Sequence, residues 1–202
     1  SKALTYLHTR KPPILHRDIK PGNVKITPQG QIFLVDFGLA KVVQAGQQTS
    51  TGARAMTPGY SPPEQYGAAR TDHRSDTYSL GATMYAALVG VIPEDSLART
   101  MEQTDLTPVR KRNPKISRRT ASAIEKALEV HPDDRYQTAG EFKQSLMLAR
   151  GSTVRKMVEE GVLPPVSGED HDALKIDVDD TSPPPNIPVA PRLETPSTPL
   201  PV

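Results

Sequence analysis

The chain has 202 residues, a formal net charge of +2 and no cysteine. Its length suits one domain with a tail, and the small net charge argues against a nucleic-acid partner or an anionic surface. The absence of thiols excludes disulfides and thiolate metal sites and fits a reducing, cytoplasmic setting.

Ala3, Leu4 and Leu7 have helical spacing, and Pro12-Pro13 stop that helix near Arg10. Val24 to Thr27 and Gln31 to Val35 read as two short strands, with Pro28-Gln29-Gly30 as the turn of a hairpin. Asp18 and Asn23 precede that hairpin and Asp36 follows it. Lys41 to Tyr60 is polar and rich in Gly, Thr, Ser and Gln, so it reads as an exposed loop.

Ser75 to Val89 is apolar on nearly every side, as a buried helix must be, and Gly90 supplies its C-terminal stop. The longest apolar stretch, Leu80 to Ile92, is too short for a membrane span and is broken by Gly81 and Thr83, so no membrane association is visible. Ser117 caps a helix carrying Ala121, Ile124, Ala127 and Leu128. Thr138 and Glu141 form a capping box for a last helix carrying Phe142, Leu146 and Ala149. A short charged helix to Glu160 follows. Beyond Gly161 prolines crowd in, together with the acidic residues Glu169, Asp170, Asp172, Asp177, Asp179 and Asp180. Such a stretch buries too little apolar surface to offset its ordering entropy, and it reads as a disordered, partly polyproline II tail. The domain reading is therefore 1–150 for the folded part and 151–202 for the tail.

The chemistry concentrates in His16-Arg17-Asp18-Ile19-Lys20-Pro21-Gly22-Asn23 and in Asp36-Phe37-Gly38. Order and spacing resemble the catalytic and metal-binding loops of eukaryotic-type (Hanks-type) serine/threonine protein kinases. Thr57-Pro58-Gly59-Tyr60-Ser61-Pro62-Pro63-Glu64 extends the resemblance. It is similar to the end of the family's activation segment, with Pro62 where an alanine is usual, as in bacterial members. Met56 stands where many relatives have glycine.

The resemblance implies an α+β protein-kinase-like fold: a mainly α-helical C-lobe with a small β-hairpin, followed by the Pro-rich tail. It implies ATP and Mg²⁺ as cofactors and protein Ser/Thr hydroxyls as substrates. Asp18 is then the base or orienting group, and Lys20 the cation beside the transferred phosphate. Asn23 and Asp36 are the Mg²⁺ ligands, hard oxygen donors that suit this ion. Thr57 bonds Asp18 and Lys20 and marks serine/threonine specificity. Glu64 pairs with Arg135, Asp76 bonds the catalytic-loop backbone, and His16 packs under Phe37. Arg17 answers a regulatory phosphate on Thr49, Ser50 or Thr51.

No G-x-G-x-x-G run occurs, so the family's small N-lobe is expected to be absent from this chain. The main reading is a serine/threonine kinase fragment that is inactive alone. The alternative is a catalytically dead lobe that serves as a binding or scaffold module. A small-molecule phosphotransferase fits less well, because such enzymes lack the Pro-Pro-Glu segment.

Overall fold

Leu4 and Leu7 lie on the buried face of the first helix, α1 (Lys2–His8). Strand β1 (Ile14–Leu15) leads into the loop His16 to Lys20 and a 3₁₀ turn, Pro21–Asn23. Strands β2 (Val24–Ile26), β3 (Ile32–Leu34) and β4 (Lys41–Val42) follow. The rest is helical: α2 (Pro63–Tyr66), α3 (His73–Val89), α4 (Ser96–Thr100), α5 (Val109–Arg112), α6 (Arg118–Ala127), a 3₁₀ turn at Pro132–Asp134, and α7 (Ala139–Glu159). The structure is a computed structural model and describes residues 2–42, 56–67 and 70–159. The proline-rich tail and the regulatory positions Thr49, Ser50 and Thr51 lie outside the described residues.

The hairpin is antiparallel, with Val24 opposite Leu34, Lys25 opposite Phe33 and Ile26 opposite Ile32. Its turn closes through Gly30, at φ 79°, whose N–H donates to the Thr27 carbonyl. Glycine takes this left-handed geometry without the steric cost a Cβ would bring. A second antiparallel pair joins β1 to β4, Ile14 opposite Val42 and Leu15 opposite Lys41. This corrects the reading of Lys41 to Tyr60 as loop throughout: Lys41 and Val42 form a strand.

Two helix boundaries and one cap also differ from expectation. The central helix α3 starts at His73 rather than Ser75, because the Asp72 carboxylate accepts the Arg74 N–H and caps it. The Thr138 hydroxyl accepts the Glu141 N–H, but the Glu141 carboxylate reaches back to the Gln137 N–H instead of closing the box on Thr138. The last helix and the expected short charged helix are one element, since α7 runs unbroken to Glu159. Ser117 caps α6 as anticipated, accepting the Thr120 N–H.

The core forms where α3, α5, α6 and α7 meet. Tyr78, Ala82 and Tyr85 of α3 pack with Val109, Ala121, Ile124 and Leu128. Phe142 of α7 joins Ala123 and Ala127 beside it. A third cluster, Leu4, Leu7, Ile19 and Ala139, ties α1 and the loop after β1 to the start of α7. That cluster anchors Ile19, the residue between Asp18 and Lys20. Gly81 lets α3 and α6 approach closely, for a Cβ there would stand 2.9 Å from Ala127 Cβ.

Candidate active site

The loop His16 to Asn23 hangs from α3 through one carboxylate. Asp76, fully buried, accepts the His16 N–H at 2.9 Å and the Arg17 N–H at 2.8 Å. His8 Nε2 lies 2.8 Å from the same Asp76 Oδ2. Arg17 needs such restraint. Its φ of 68° is left-handed, which costs a non-glycine residue about 1–2 kcal/mol. From the other side, the Gln65 side-chain amide on α2 donates to the Arg17 carbonyl at 2.9 Å.

Beyond Arg17 four polar side chains converge. The Thr57 hydroxyl donates to Asp18 Oδ1 at 3.0 Å, and Lys20 Nζ donates to the Thr57 oxygen at 3.3 Å. Lys20 Nζ is also 2.9 Å from Asp18 Oδ2. The extended backbone at Lys20, φ −156° and ψ 164°, turns its side chain to the same side as that of Asp18. Asn23 Nδ2 donates to both the carbonyl and Oδ2 of Asp18, at 2.8 and 3.0 Å. Burial pushes the Asp18 carboxyl up. The hydrogen bonds from Lys20 and Thr57, the Lys20 charge and the Asn23 amide outweigh it and hold the group below the usual carboxylate range. Asp18 is therefore an anion at neutral pH, surrounded by donors.

Asp36 stands outside this network. It is exposed, its φ of 64° is left-handed, and its Oδ1 accepts the Gly38 N–H at 3.2 Å. The link to Asn23 runs through the backbone: the Val35 N–H donates to the Asn23 carbonyl at 2.9 Å. His16 is fully buried, and Phe37 meets its ring edge-on rather than stacked, with centroids 4.8 Å apart at 61°. His16 Nε2 faces the Val35 carbonyl at 3.3 Å, while Nδ1 faces the Asp18 N–H at 3.4 Å. That pairing selects the tautomer with its proton on Nε2.

The donor set suits a Mg²⁺–nucleotide. The Asn23 nitrogen is committed to Asp18, which leaves the amide oxygen as the atom to offer a cation, and the Asp36 carboxylate is exposed. Two hard oxygen donors, with the other positions left to phosphates and water, match how Mg²⁺ is held. Among the described residues no group of three His, Cys, Asp or Glu forms a self-sufficient metal cage.

Helix α2 connects the site to the helical body. Arg135 donates to both carboxylate oxygens of Glu64, and the Ser75 hydroxyl adds a third bond at 2.8 Å. Met56 is half-buried, and with it in place Thr57 still reaches Asp18, its N–H donating to the Ser61 hydroxyl oxygen at 3.0 Å. Sequence reasoning missed Gln65. Its only signal was an amide directly after Pro62-Pro63-Glu64.

A model of the protein kinase domain matches residues 1–147. The chain is 36% identical over 138 residues to the tyrosine-protein kinase MasK of Myxococcus xanthus, covering 66% of this chain and 21% of that one. It is 37% identical over 171 residues to the serine/threonine-protein kinase PknK of Mycobacterium tuberculosis, covering 79% and 15%. With the serine/threonine-protein kinase PknB of Mycolicibacterium smegmatis it shares 35% over 153 residues, covering 72% and 24%. The chain thus spans under a quarter of the length of each of these relatives. Among solved structures it resembles the Mycobacterium tuberculosis PknI kinase domain, with a TM-score of 0.54 at 29% identity, covering 73% of this chain and 51% of that one. It also resembles the apo form of PpkA-294, with a TM-score of 0.59 at 28% identity, covering 72% and 50%.

Proposed function

The chain belongs to the protein kinase domain family, and on that premise we propose that it is the large-lobe part of a serine/threonine protein kinase, which moves the γ-phosphoryl group of ATP to protein hydroxyls. The observation that carries this reading is the joining of Asp18, Lys20, Asn23 and Thr57 in one hydrogen-bonded network.

In this reading Asp18 orients the substrate hydroxyl and accepts its proton as the new O–P bond forms and the bond from the γ-phosphorus to the bridging oxygen of ATP breaks, with ADP as leaving group. A carboxylate held below its usual range is a weak base toward a resting alcohol, so the proton moves late, once the oxygen is committed to phosphorus. Lys20 stands beside Asp18 and compensates negative charge as it shifts onto the transferred group. Asn23 and Asp36 would hold Mg²⁺, which neutralises phosphate charge when bound. Thr57 ties Asp18 to the segment before α2 and favours Ser/Thr acceptors. Because the sequence contains no Gly-rich loop, the 202-residue chain by itself is expected to be nearly inactive. Phosphorylation at Thr49, Ser50 or Thr51 would regulate it through Arg17, and mass spectrometry of active enzyme tests that point.

The deciding experiment uses the protein expressed from its complete reading frame. Transfer from radiolabelled ATP should put phosphate on Ser or Thr, and Asp18→Ala and Asp36→Ala should each abolish it while the fold persists. Near-normal turnover by either variant would refute the assignment. A folded wild-type protein that transfers no phosphate would favour the scaffold reading.

A further inference from the structure

The peptide group between Arg17 and Asp18 sets where the Asp18 side chain points, and it is held unevenly. Among the described residues its N–H has only the long 3.4 Å contact to His16 Nδ1. Its carbonyl receives a well-formed 2.9 Å bond from the Gln65 amide. Arg17 itself is left-handed, with its own N–H fixed by Asp76. Loss of the carbonyl anchor would leave the peptide plane free to turn about a backbone that already favours leaving this conformation.

Gln65 is 6% exposed, and its Oε1 is buried with no hydrogen-bond partner among the described residues. Flipping the amide would set Oε1 against the Arg17 carbonyl, two acceptors face to face. The observed orientation is thus the one that serves Arg17, and it leaves an acceptor unmet. A packing role alone would be filled better by methionine, which brings no orphaned oxygen. The amide is there for its donor. Among the described residues the Arg17 Nε is a second buried, unpartnered atom at this junction, which marks the contact as one where local satisfaction yields to placement.

The anchor is itself immobilised. Glu64, the preceding residue, is fixed by Arg135 and Ser75. Consecutive residues of α2 therefore grip the helical body and the Asp18 loop.

We propose that Gln65 is a positioning residue for phosphoryl transfer, clamping the Arg17 carbonyl so that Asp18 meets Thr57 and Lys20; its kinetic consequence rests on the kinase reading above. The test has two arms, each on Gln65→Met, which keeps length and bulk, and on the isosteric Gln65→Glu, which loses the donor. In the 202-residue chain, hydrogen exchange of a peptide covering 14–20 should accelerate about tenfold, the effect of one lost hydrogen bond, while α3 and α6 exchange as before. In the complete enzyme kcat should fall roughly 10- to 100-fold, with KM for ATP within about twofold. A role in packing alone would lower melting temperature and leave kcat in place for Gln65→Met. Wild-type exchange at 14–20 in both variants, or wild-type kcat in both, overturns the proposal. If Gln65→Met fails to fold, Gln65→Glu decides. If the wild-type enzyme transfers no phosphate, the kinase reading fails while the exchange arm still judges the clamp.

Discussion

Arg135 grips Glu64 through two guanidinium nitrogens, at 2.7 and 3.0 Å, across 71 residues of sequence. The pair is exposed by only 2% and 9%. Arg135 also donates to the carbonyls of Glu129 and Val130, so it cannot withdraw to water if its partner is removed. A buried charge left alone in this way costs about 3–5 kcal/mol. Glu64→Ala should destabilise the fold by that amount in urea denaturation. Replacing both partners with methionine should cost less than the sum of the single changes. A single-variant loss below about 1 kcal/mol would contradict a desolvated pair.

The Thr57–Asp18 bond makes a prediction about rate and pH together. A hydrogen bond to a charged group contributes about 1.5–3 kcal/mol. In the complete enzyme Thr57→Val, isosteric but without the hydroxyl, should lower kcat by at least about tenfold, whereas Thr57→Ser should keep most of it. Thr57 is among the donors that hold the Asp18 carboxyl down. Its loss lets that group rise, so the acid limb of kcat/KM should move to higher pH. A limb unmoved in Thr57→Val would separate Thr57 from Asp18 ionisation.

The loop from His16 to Asn23 was legible because its chemistry is contiguous, and Glu64 with Arg135 because two motifs named them. The buried helix α3 showed itself through length and continuous apolarity. What stayed hidden had no periodic signal. Strand β4 is two residues long and pairs with β1 far back in the chain. Helices α4 and α5 have five and four residues, shorter than the window in which a helical repeat shows. Gln65 was invisible for another reason. Its partner is a backbone carbonyl, and main-chain acceptors leave no trace in a sequence.

Gly81 sets two effects against each other. Alanine in the middle of α3 would gain about 1 kcal/mol of helix propensity. The new Cβ would meet Ala127 Cβ at 2.9 Å, and overpacking of this kind costs about 1–3 kcal/mol. Ala127 Cβ is fixed to its backbone and cannot rotate aside, so the clash should win. Gly81→Ala is expected to lower stability by up to about 2 kcal/mol, and adding Ala127→Gly should recover part of it. A more stable Gly81→Ala protein would mean that α3 and α6 separate easily.

Glu94 supplies the pH dependence. Its carboxylate accepts the Thr107 hydroxyl at 2.7 Å and the Thr107 N–H at 3.0 Å, and it pairs with Arg112. Burial pushes the group up, but the two Thr107 bonds, its own N–H and Arg112 outweigh it and hold it at about 2, against the ordinary 4.5. The folded state therefore binds this proton more weakly than the unfolded chain does. The stabilisation from Glu94 is complete above the ordinary value of 4.5 and fades as pH falls from there to about 2. Glu94→Gln should melt below wild type by a constant margin between about pH 6 and 8, and the margin should shrink steadily in the acid range. Raising salt should narrow it only in part, since Thr107 is neutral and only Arg112 is screened. A margin that persists unchanged to the bottom of that range would assign the loss to shape rather than charge.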